Sequence, residues 1–452
     1  MKPLTRYKQY KNRKPKDTIA TIQRILKEKL NITVHERTFQ ERNGLFYSCR
    51  VLLNNTNDLR SANIGTNGKG MTVDYSRASA YGELMERLQN GVLFRKTYNE
   101  SKCASPYMFT YDEDIEKNDS RLRESINKYV YSADNECLFE LVKGKEHFYV
   151  PYYGVKEKKI VKLPFNIIYN NISTNGLCAG NTAKEAIIEG LSEIFERYVI
   201  RKIYFDNLSL PKIPRDYFKG NEILKRLEDL EYKEHYTIDI VDCSLNVGIP
   251  AVGVIVLTEN RQEYQFHMGA DPSPITALER SLTELFQGRD AIKFKQFDNV
   301  LQERLNTDLN LKEEEMNKTT SASTGHYPQA FFSSAPSYQF AGFNDRLGHS
   351  DDMDIQLMVE LIEQLGFQLY VRDNSFLGFP AYSLYVPGMS ELHNTHSLRY
   401  FKNTYNKDTI SDENSVETEV CNYKKCLPII IRLQEEAICN QICQQSLKKI
   451  FL

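Results

Sequence analysis

The sequence predicts an α+β fold in which long helices pack on antiparallel sheets and one layout recurs along the chain. Long helical stretches alternate with pairs of strand-like runs, which is typical of layered α+β domains. Three of the helices also share a short pattern, an acid, two apolar residues, and then an acid or its amide. The pattern occurs at Glu83–Glu86, Glu193–Glu196 and Glu284–Gln287.

Apolar periodicity and helix-breaking residues place the other elements. The prolines of 208–214 end one long helix, and Pro274 suits the first turn of another, where its missing N–H costs least. Helices are predicted at 18–30, 75–96, 184–205, from 271 onward and at 351–365. Strands are predicted at 34–53, as a pair over 138–153, and at 237–241, 251–257, 263–269, 368–371 and 382–386. Glycine-bearing turns are predicted at 65–70 and 176–180, and a mobile loop at 311–325.

Composition narrows the functional class. The 452 residues carry a net charge of −2, which gives no nucleic-acid footprint and predicts no direct DNA binding. No apolar run is long enough to span a bilayer, and the polar N-terminus lacks a secretory signal. The nine cysteines are an odd number, which favours reduced thiols. A cytoplasmic protein without a membrane segment is therefore expected.

Three segments are predicted along the chain: a basic N-terminal arm at 1–17, one domain at 18–400, and a linker with a short helical tail at 401–452. The arm has lysines and arginines but no acid, so it is expected to be solvated or, alternatively, to bind an acidic partner. In the tail, Cys421, Cys426, Cys439 and Cys443 are structural thiols or, alternatively, zinc ligands. His393 and His396 are expected to lie in an ordinary polar loop.

The three motif helices carry the main functional signal. Residues three or four apart share a helical face, so each helix presents acids, or an acid and an amide, with an arginine nearby. Such stripes are either solvated surfaces or parts of a polyphosphate site, where carboxylates hold a metal and arginines hold phosphates. Lys69 and the glycine-bearing turns would add anion-binding groups. The Gly68–Gly70 segment lacks the order of a P-loop.

Three segments resemble, in family order, the ATP-site motifs of the YcaO superfamily. They are Asn67-Gly-Lys-Gly with Ser79–Leu88, Ser173-Thr-Asn-Gly with Ala179–Tyr198, and Ala277–Arg289. Val386-Pro-Gly-Met-Ser390 extends the likeness beyond these motifs. The stand-alone bacterial branch of the superfamily is the most similar.

The resemblance implies an ATP-binding α+β fold with ATP and Mg²⁺ as cofactors, and it leaves the catalytic residues unknown. It implies Mg²⁺ ligands at Glu83, Glu86, Glu193 and Glu196. It implies nucleotide contacts at Lys69, Ser79, Arg87, Asn181, Glu185, Arg197, Arg280, Glu284 and Arg289.

The resemblance also implies an activity. Characterised members phosphorylate the oxygen of a peptide-backbone amide, and a nucleophile then gives an azoline, a thioamide or an amidine. The alternative is an ATP-binding accessory protein for methylthiolation of a small-subunit ribosomal protein. A peptide or protein substrate is expected, with a separate modifying or leader-binding partner and a homodimer left open. No proline follows Pro428, whereas azoline-forming members usually end in a Pro-x-Pro-x-Pro tail.

Overall fold

A computed structural model describes residues 11–30, 33–53, 65–90, 114–132, 134–392, 447 and 450–451. Within these residues the α-helices are α1 Pro15–Leu30, α2 Val73–Gln89, α3 Asp119–Tyr129, α4 Asn135–Val142, α5 Phe165–Ile172, α6 Ala183–Phe205, α7 Glu222–Glu234, α8 Pro274–Glu284, α9 Asn299–Arg304, α10 Leu309–Ala322 and α11 Asp351–Gln364. The strands are β1 Val34–Gln40, β2 Tyr47–Leu53, β3 Gly65–Gly70, β4 Asp114–Glu116, β5 His147–Gly154, β6 Lys159–Pro164, β7 Leu177–Ala179, β8 Thr237–Asp242, β9 Ala251–Leu257, β10 Glu263–Ala270, β11 Lys295–Gln296, β12 Tyr370–Asp373 and β13 Ala381–Tyr385.

The strands form three antiparallel sheets, which confirms the predicted α+β class. One sheet has the order β1-β2-β3, and a second has the order β11-β10-β9-β8. The third has the order β4-β5-β12-β13-β7, with β6 paired to β5. Two faces of the second sheet are covered by different helices, because its residues share one core cluster with α6 and another with α7 and α8.

Each motif helix directly follows a strand, in the units β3–α2, β7–α6 and β10–α8. All three helices begin alike, since Thr72, Thr182 and Ser273 each accept a hydrogen bond from the backbone N–H three residues on. This recurring unit is the repeated layout that the sequence predicts. It places each of the three acidic patterns in a helix that directly follows a strand in the sequence.

The predicted glycine turn at 65–70 is instead the strand β3, which pairs with β2 and alternates in burial. The lack of side chains at its glycines allows the strand to pack closely against α2. A Cβ on Gly68 would lie 2.1 Å from backbone atoms of both Ser76 and Ala80 in α2. The predicted turn at 176–180 likewise contains the short strand β7, with Gly176 at a positive φ of 83°.

Two other segment predictions were wrong. The predicted loop at 311–325 forms α10, because Asp308 caps its N-terminus and Met316 is buried against the core that includes α6. The predicted strand pair at 138–153 is helix α4 followed by β5. Leu138 and Val142 lie four residues apart and are both fully buried, so this segment follows a helical period.

The described residues near the C-terminus pack on the protein's own core. Leu447 is buried in the cluster that contains α6, and Ile450 and Phe451 pack against it. The Phe451 ring lies 6.4 Å from that of Tyr153. The tail cysteines, His393 and His396 lie outside the described residues. No helix of the described residues combines the length and apolar character needed to cross a membrane.

Candidate nucleotide site

The three motif helices meet at a cavity of about 320 Å³. The predicted stripes therefore face one another across this cavity and are not solvated surfaces. All the predicted site residues except Arg289 line it: Lys69, Ser79, Glu83, Glu86, Arg87, Asn181, Glu185, Glu193, Glu196, Arg197, Arg280 and Glu284.

The acids of α2 and α6 are held by arginines of their own helices. Arg87 lies 3.3 Å from a Glu83 oxygen and 3.4 Å from a Glu86 oxygen. Arg197 lies 3.8 Å from Glu193. Both Arg87–Glu83 and Arg197–Glu193 span four residues of one helix, which is the spacing that puts two side chains on one face. These two helices form the acidic wall of the cavity.

Burial and mutual repulsion raise the pKa values of two carboxyls in the acidic wall. Burial is the largest cause at Glu86, and nearby Glu193 adds to it against the opposing effect of Arg87, so that the pKa of Glu86 lies well above its usual range. Burial also raises the pKa of Glu193, with Arg197 opposing and Glu196 adding. A bound cation would relieve the repulsion among these carboxylates.

Helix α8 closes the cavity from the opposite side. Arg280 reaches Glu196 at 3.3 Å and Glu189 at 3.6 Å, and Glu284 forms an ion pair with Lys69 of β3. Burial, and secondarily Arg280, lowers the pKa of Lys69 to about 8. Arg280 thus pairs with acids of α6 across the cavity, whereas Lys69 and Glu284 pair with each other on this side.

Arg289 is the one predicted residue that does not line the cavity. Helix α8 ends at Glu284, and the chain then turns through Gly288 at a φ of 75°. Gln287 lies in this turn, beyond the helix, and its Nε2 donates to the Asn67 carbonyl at 2.9 Å. The Arg289 Nε donates to the Gln287 carbonyl at 3.4 Å. Because the helix ends five residues earlier, Arg289 does not lie on its stripe.

The N-terminal segment is a contributor that the sequence did not predict. Lys11 donates to Glu189 at 2.8 Å, and the backbone N–H of Asn12 donates to Glu185 at 3.0 Å. The prediction of a solvated arm at 1–17 is therefore wrong at Lys11, which is partly covered and paired with an acid of the cavity. Burial alone would raise the pKa of Glu189, but Lys11 and Arg280 outweigh it and bring the value to about 2.

Thr18 of α1 joins the N-terminal segment to the second motif. Its hydroxyl donates to the Asn181 side-chain oxygen at 2.7 Å, and the Asn181 amide donates to Glu185 at 3.0 Å. Thr18, Asn181 and Glu185 all line the cavity. The basic character of residues 1–17 was the only sequence signal for the contribution of Lys11, and no signal pointed to Thr18.

A second unpredicted group lines the cavity near β10 and β11. Burial lowers the pKa of Lys295 to about 7, with Glu315 opposing. Burial, and then the charge of Lys295, lowers the pKa of His267 well below its usual range. Neither residue belongs to an acidic stripe or a glycine-bearing turn, so the motifs gave no signal for them.

No three acid, histidine or cysteine side chains of the described residues converge closely enough to hold a metal by themselves. The predicted ligands Glu83, Glu86, Glu193 and Glu196 thus line the cavity without forming a ready-made metal cage. Mg²⁺ commonly takes only one or two carboxylates and completes its shell with water and substrate phosphates. The arrangement suits a magnesium–nucleotide complex better than a free ion.

Most of the chain matches the profile of one known family. A profile described as YcaO cyclodehydratase, ATP- and Mg²⁺-binding, matches residues 67–390. The chain belongs to the YcaO family. ATP and Mg²⁺ are the cofactors in that description, and the carboxylates and cationic side chains around the cavity fit both. Arg87 supports the fit further, because its Nη1 is buried and no described residue accepts its hydrogen bond.

Two curated relatives are similar to most of the chain. The ribosomal protein S12 methylthiotransferase accessory factor YcaO of Escherichia coli is 29% identical over 400 residues, covering 82% of this chain and 65% of its own length. An uncharacterised protein of Haemophilus influenzae is 30% identical over 358 residues, covering 76% of this chain and 60% of its own length. The chain thus spans less than two thirds of either relative.

Two solved structures share the fold at 18% sequence identity. A heterocyclase in complex with substrate and cofactor aligns with a TM-score of 0.57 over 87% of this chain and 55% of its own. YcaO from Methanopyrus kandleri, bound with AMPPCP and Mg²⁺, aligns with a TM-score of 0.53 over 84% of this chain and 92% of its own. These likenesses concern the fold.

Proposed function

We propose that the protein is an ATP- and Mg²⁺-dependent enzyme that activates a backbone amide of a peptide or protein by phosphorylating the amide oxygen. The observation that carries this proposal is the cavity in which acids of α2 and α6 face the cations of α8, β3 and the N-terminal segment. Family membership supports the ATP- and Mg²⁺-dependent part.

Ion pairs within the cavity suggest how the site accepts its ligand. Arg280 pairs with Glu196 and Lys69 pairs with Glu284, so acids and bases satisfy one another before a nucleotide enters. A magnesium–nucleotide complex brings both partners that these groups need, since phosphate oxygens bind cationic side chains and Mg²⁺ binds carboxylates. Each side chain would then exchange its partner in the ion pair for a phosphate oxygen or Mg²⁺, which limits the free-energy cost of breaking the ion pairs.

Specific roles for the lining residues are part of the proposal. Glu83, Glu86, Glu193 and Glu196 would hold Mg²⁺ together with phosphate oxygens. The nucleotide would be bound by Lys69, Ser79, Arg87, Asn181, Glu185, Arg197, Arg280 and Glu284, with Lys11 and Thr18 added by the structure. ATP supplies the phosphoryl group, and the fixed cations of the protein stabilise charge on its oxygens.

The second candidate is an ATP-binding accessory protein for methylthiolation of a ribosomal protein. The Escherichia coli relative, whose name describes such a factor, favours it, because the match covers 82% of this chain. An accessory protein would bind Mg²⁺ and nucleotide yet show no peptide-dependent turnover.

Oxygen transfer separates the two candidates. The protein is incubated with Mg²⁺, ATP and a pool of capped peptides whose backbone carbonyls carry a heavy oxygen isotope. If the amide oxygen attacks the γ-phosphorus with release of ADP, and a Cys, Ser or Thr side chain of the peptide then attacks the amide carbon and displaces the phosphorylated oxygen, the released phosphate contains heavy oxygen. Released phosphate without heavy oxygen contradicts amide activation. Nucleotide binding without peptide-dependent turnover favours the accessory role.

A further inference from the structure

One side of β10 faces the cavity without a strand beside it. In its sheet, β10 pairs with β9 along Tyr264–Ala270, but β11 pairs only with Glu263 and Tyr264. The following residues of β10 therefore lie beyond the end of β11. Three of them, Phe266, His267 and Met268, line the cavity.

The alternating hydrogen-bond pattern of the antiparallel β9–β10 pair shows which backbone groups of β10 point into the cavity. The Asp271 N–H donates to the Pro250 carbonyl next to β9, whereas the Ala270 N–H donates to Glu196 at 2.7 Å on the other side. Backbone groups of successive residues in an antiparallel strand point to opposite sides. The N–H and C=O of Met268, two residues before Ala270, therefore point away from β9 and towards the cavity.

Only part of this edge is satisfied by the protein. The Phe266 N–H donates to the Gln265 side chain at 3.0 Å, and the Gln265 amide donates in turn to the Lys293 carbonyl at 2.6 Å. No described residue pairs with the Phe266 C=O or with the N–H and C=O of Met268 on the cavity side. Buried backbone polar groups nearly always have a partner, so this stretch is suited to a ligand that supplies both a donor and an acceptor.

The side chain of Lys295 lies at one end of the same edge. The Lys295 side chain is only 7% exposed, and its ammonium donates to the Gly325 carbonyl at 2.9 Å. It lies 5.1 Å from the ring centres of both Tyr264 and Tyr327. No carboxylate of the described residues lies within ion-pair distance of it. An ammonium has three N–H groups, so donors remain for an oxygen in the cavity.

We propose that this edge of β10, between Lys295 and Glu196, binds the substrate peptide as an added β-strand. An extended backbone offers the C=O and N–H that Met268 needs, and Lys295 binds a carbonyl oxygen of the same segment. The assignment rests on the proposed function, because Glu196 at the other end of the edge is one of the predicted metal ligands.

Backbone pairing has a consequence for specificity. Main-chain hydrogen bonds do not depend on side-chain identity, and successive side chains of an added strand point to opposite faces. The edge would therefore accept peptides of varied sequence, as long as they present an extended segment with free amide N–H groups.

The Met268 amide is itself the probe that tests this assignment. The protein has nine methionines, so labelling methionine with heavy nitrogen gives a simple amide spectrum, in which Met268→Leu identifies the Met268 signal. The spectrum is recorded with Mg²⁺ and a non-hydrolysable ATP analogue. A pool of capped five-residue peptides of randomised sequence is then added at millimolar concentration. The matched control is a pool with N-methylated backbone amides.

The unmodified pool should shift the Met268 signal and slow its hydrogen exchange, whereas the N-methylated pool should do neither. No response to the unmodified pool, or equal responses to both, overturns the assignment. Lys295→Met should weaken the pool's affinity by at least about tenfold, or 1.4 kcal/mol. Unchanged peptide affinity in a variant with an unaltered melting temperature would overturn the role of Lys295.

The same titrations distinguish this assignment from the proposed function. If Lys295→Met weakens nucleotide binding and leaves peptide binding intact, the ammonium contacts phosphate and its peptide role is wrong. If the protein binds no magnesium–nucleotide complex while the peptide pool still shifts Met268, the proposed function fails and the peptide site stands.

Discussion

The two sides of the cavity are built from different kinds of sequence information. The acidic wall consists of α2 and α6, where Glu83 and Glu193 each pair with an arginine of the same helix. The opposite side assembles Arg280, Lys295 and Lys11 from a helix, a two-residue strand and the N-terminal segment. Local patterns specify the first side and predict Arg280 of the second, whereas only tertiary packing brings Lys295 and Lys11 to the cavity.

The electrostatics of the two sides also differ. Burial raises the pKa values of Glu86 and Glu193 in the acidic wall, which marks a place where negative charge is costly without a cation. Glu189 lies in α6, as Glu193 does. The charges of Lys11 and Arg280 from the other side outweigh the effect of its burial and lower its pKa. Contact between the two sides therefore lowers the pKa of Glu189, whereas burial raises that of Glu193 in the same helix, and variants on either side should have distinct effects.

The largest expected effect is at Glu86. Glu86→Gln keeps the shape but removes the charge that would hold Mg²⁺, so magnesium-dependent nucleotide affinity should fall about 100-fold, or 2.7 kcal/mol. Calorimetric titration with an ATP analogue measures it. Glu28→Gln, on the exposed surface of α1, is the matched control. Equal affinity of the Glu86 variant and the parent would show that this carboxylate is not a metal ligand.

The same variant should be more stable than the parent without ligand. Because the folded-state pKa of Glu86 is raised above 4.5, its ionisation opposes folding increasingly as pH rises from that value towards the folded pKa. Glu86→Gln should thus raise the melting temperature at neutral pH and have little effect near pH 4.5. A variant less stable than the parent at neutral pH would contradict this sign.

Arg280→Lys tests the side opposite the acidic wall with a substitution that keeps the positive charge. Lysine lacks the planar fork that lets Arg280 contact both Glu196 and Glu189 and, when ligand is bound, two phosphate oxygens. The free energy of nucleotide binding should become less favourable by about 1.5–3 kcal/mol, the range for a hydrogen bond to a charged group. Arg24→Lys on the exposed face of α1 should leave it unchanged. Unaltered affinity in the Arg280 variant would place that side chain outside the binding contacts.

Binding should also depend on pH through the acidic wall. Glu86 and Glu193 have raised pKa values, so each retains a proton at a higher pH than an ordinary carboxyl, and Mg²⁺ must displace it. Affinity should therefore increase with pH by up to about tenfold per pH unit for each proton released. Titrations in buffers of different ionisation enthalpy count these protons, and a count of zero would contradict the expected linkage.

Lys11→Ala should have the smallest effect. Lys11 is partly exposed and contacts the edge of the site, so nucleotide affinity should fall by about 1 kcal/mol or less, the usual range for such ion pairs. The stability that depends on the lowered pKa of Glu189 is present above about pH 4.5 and disappears as pH falls towards about 2. The destabilisation by Lys11→Ala should disappear over the same window, while Lys14→Ala should have no effect.

Much of the acidic wall was predictable because its residues repeat on single helices. Glu83 and Glu86, or Glu193 and Glu196, share a helical face whatever surrounds them. The helix α10 was missed because its buried Glu315 and Met316 depend on tertiary packing that the polar local sequence does not reveal. Lys295 was missed for a related reason, since β11 has only two residues.

The central claim is that the acidic wall binds nucleotide only through a divalent cation, and one titration tests it most directly. A non-hydrolysable ATP analogue is titrated into the unmodified protein with Mg²⁺ and then with a chelator. The carboxylates repel a naked triphosphate, so binding should be measurable with Mg²⁺ and absent without it. No three carboxylates form a cage among the described residues, so Mg²⁺ alone should bind only weakly. Equal nucleotide affinity with and without Mg²⁺ would contradict the claim.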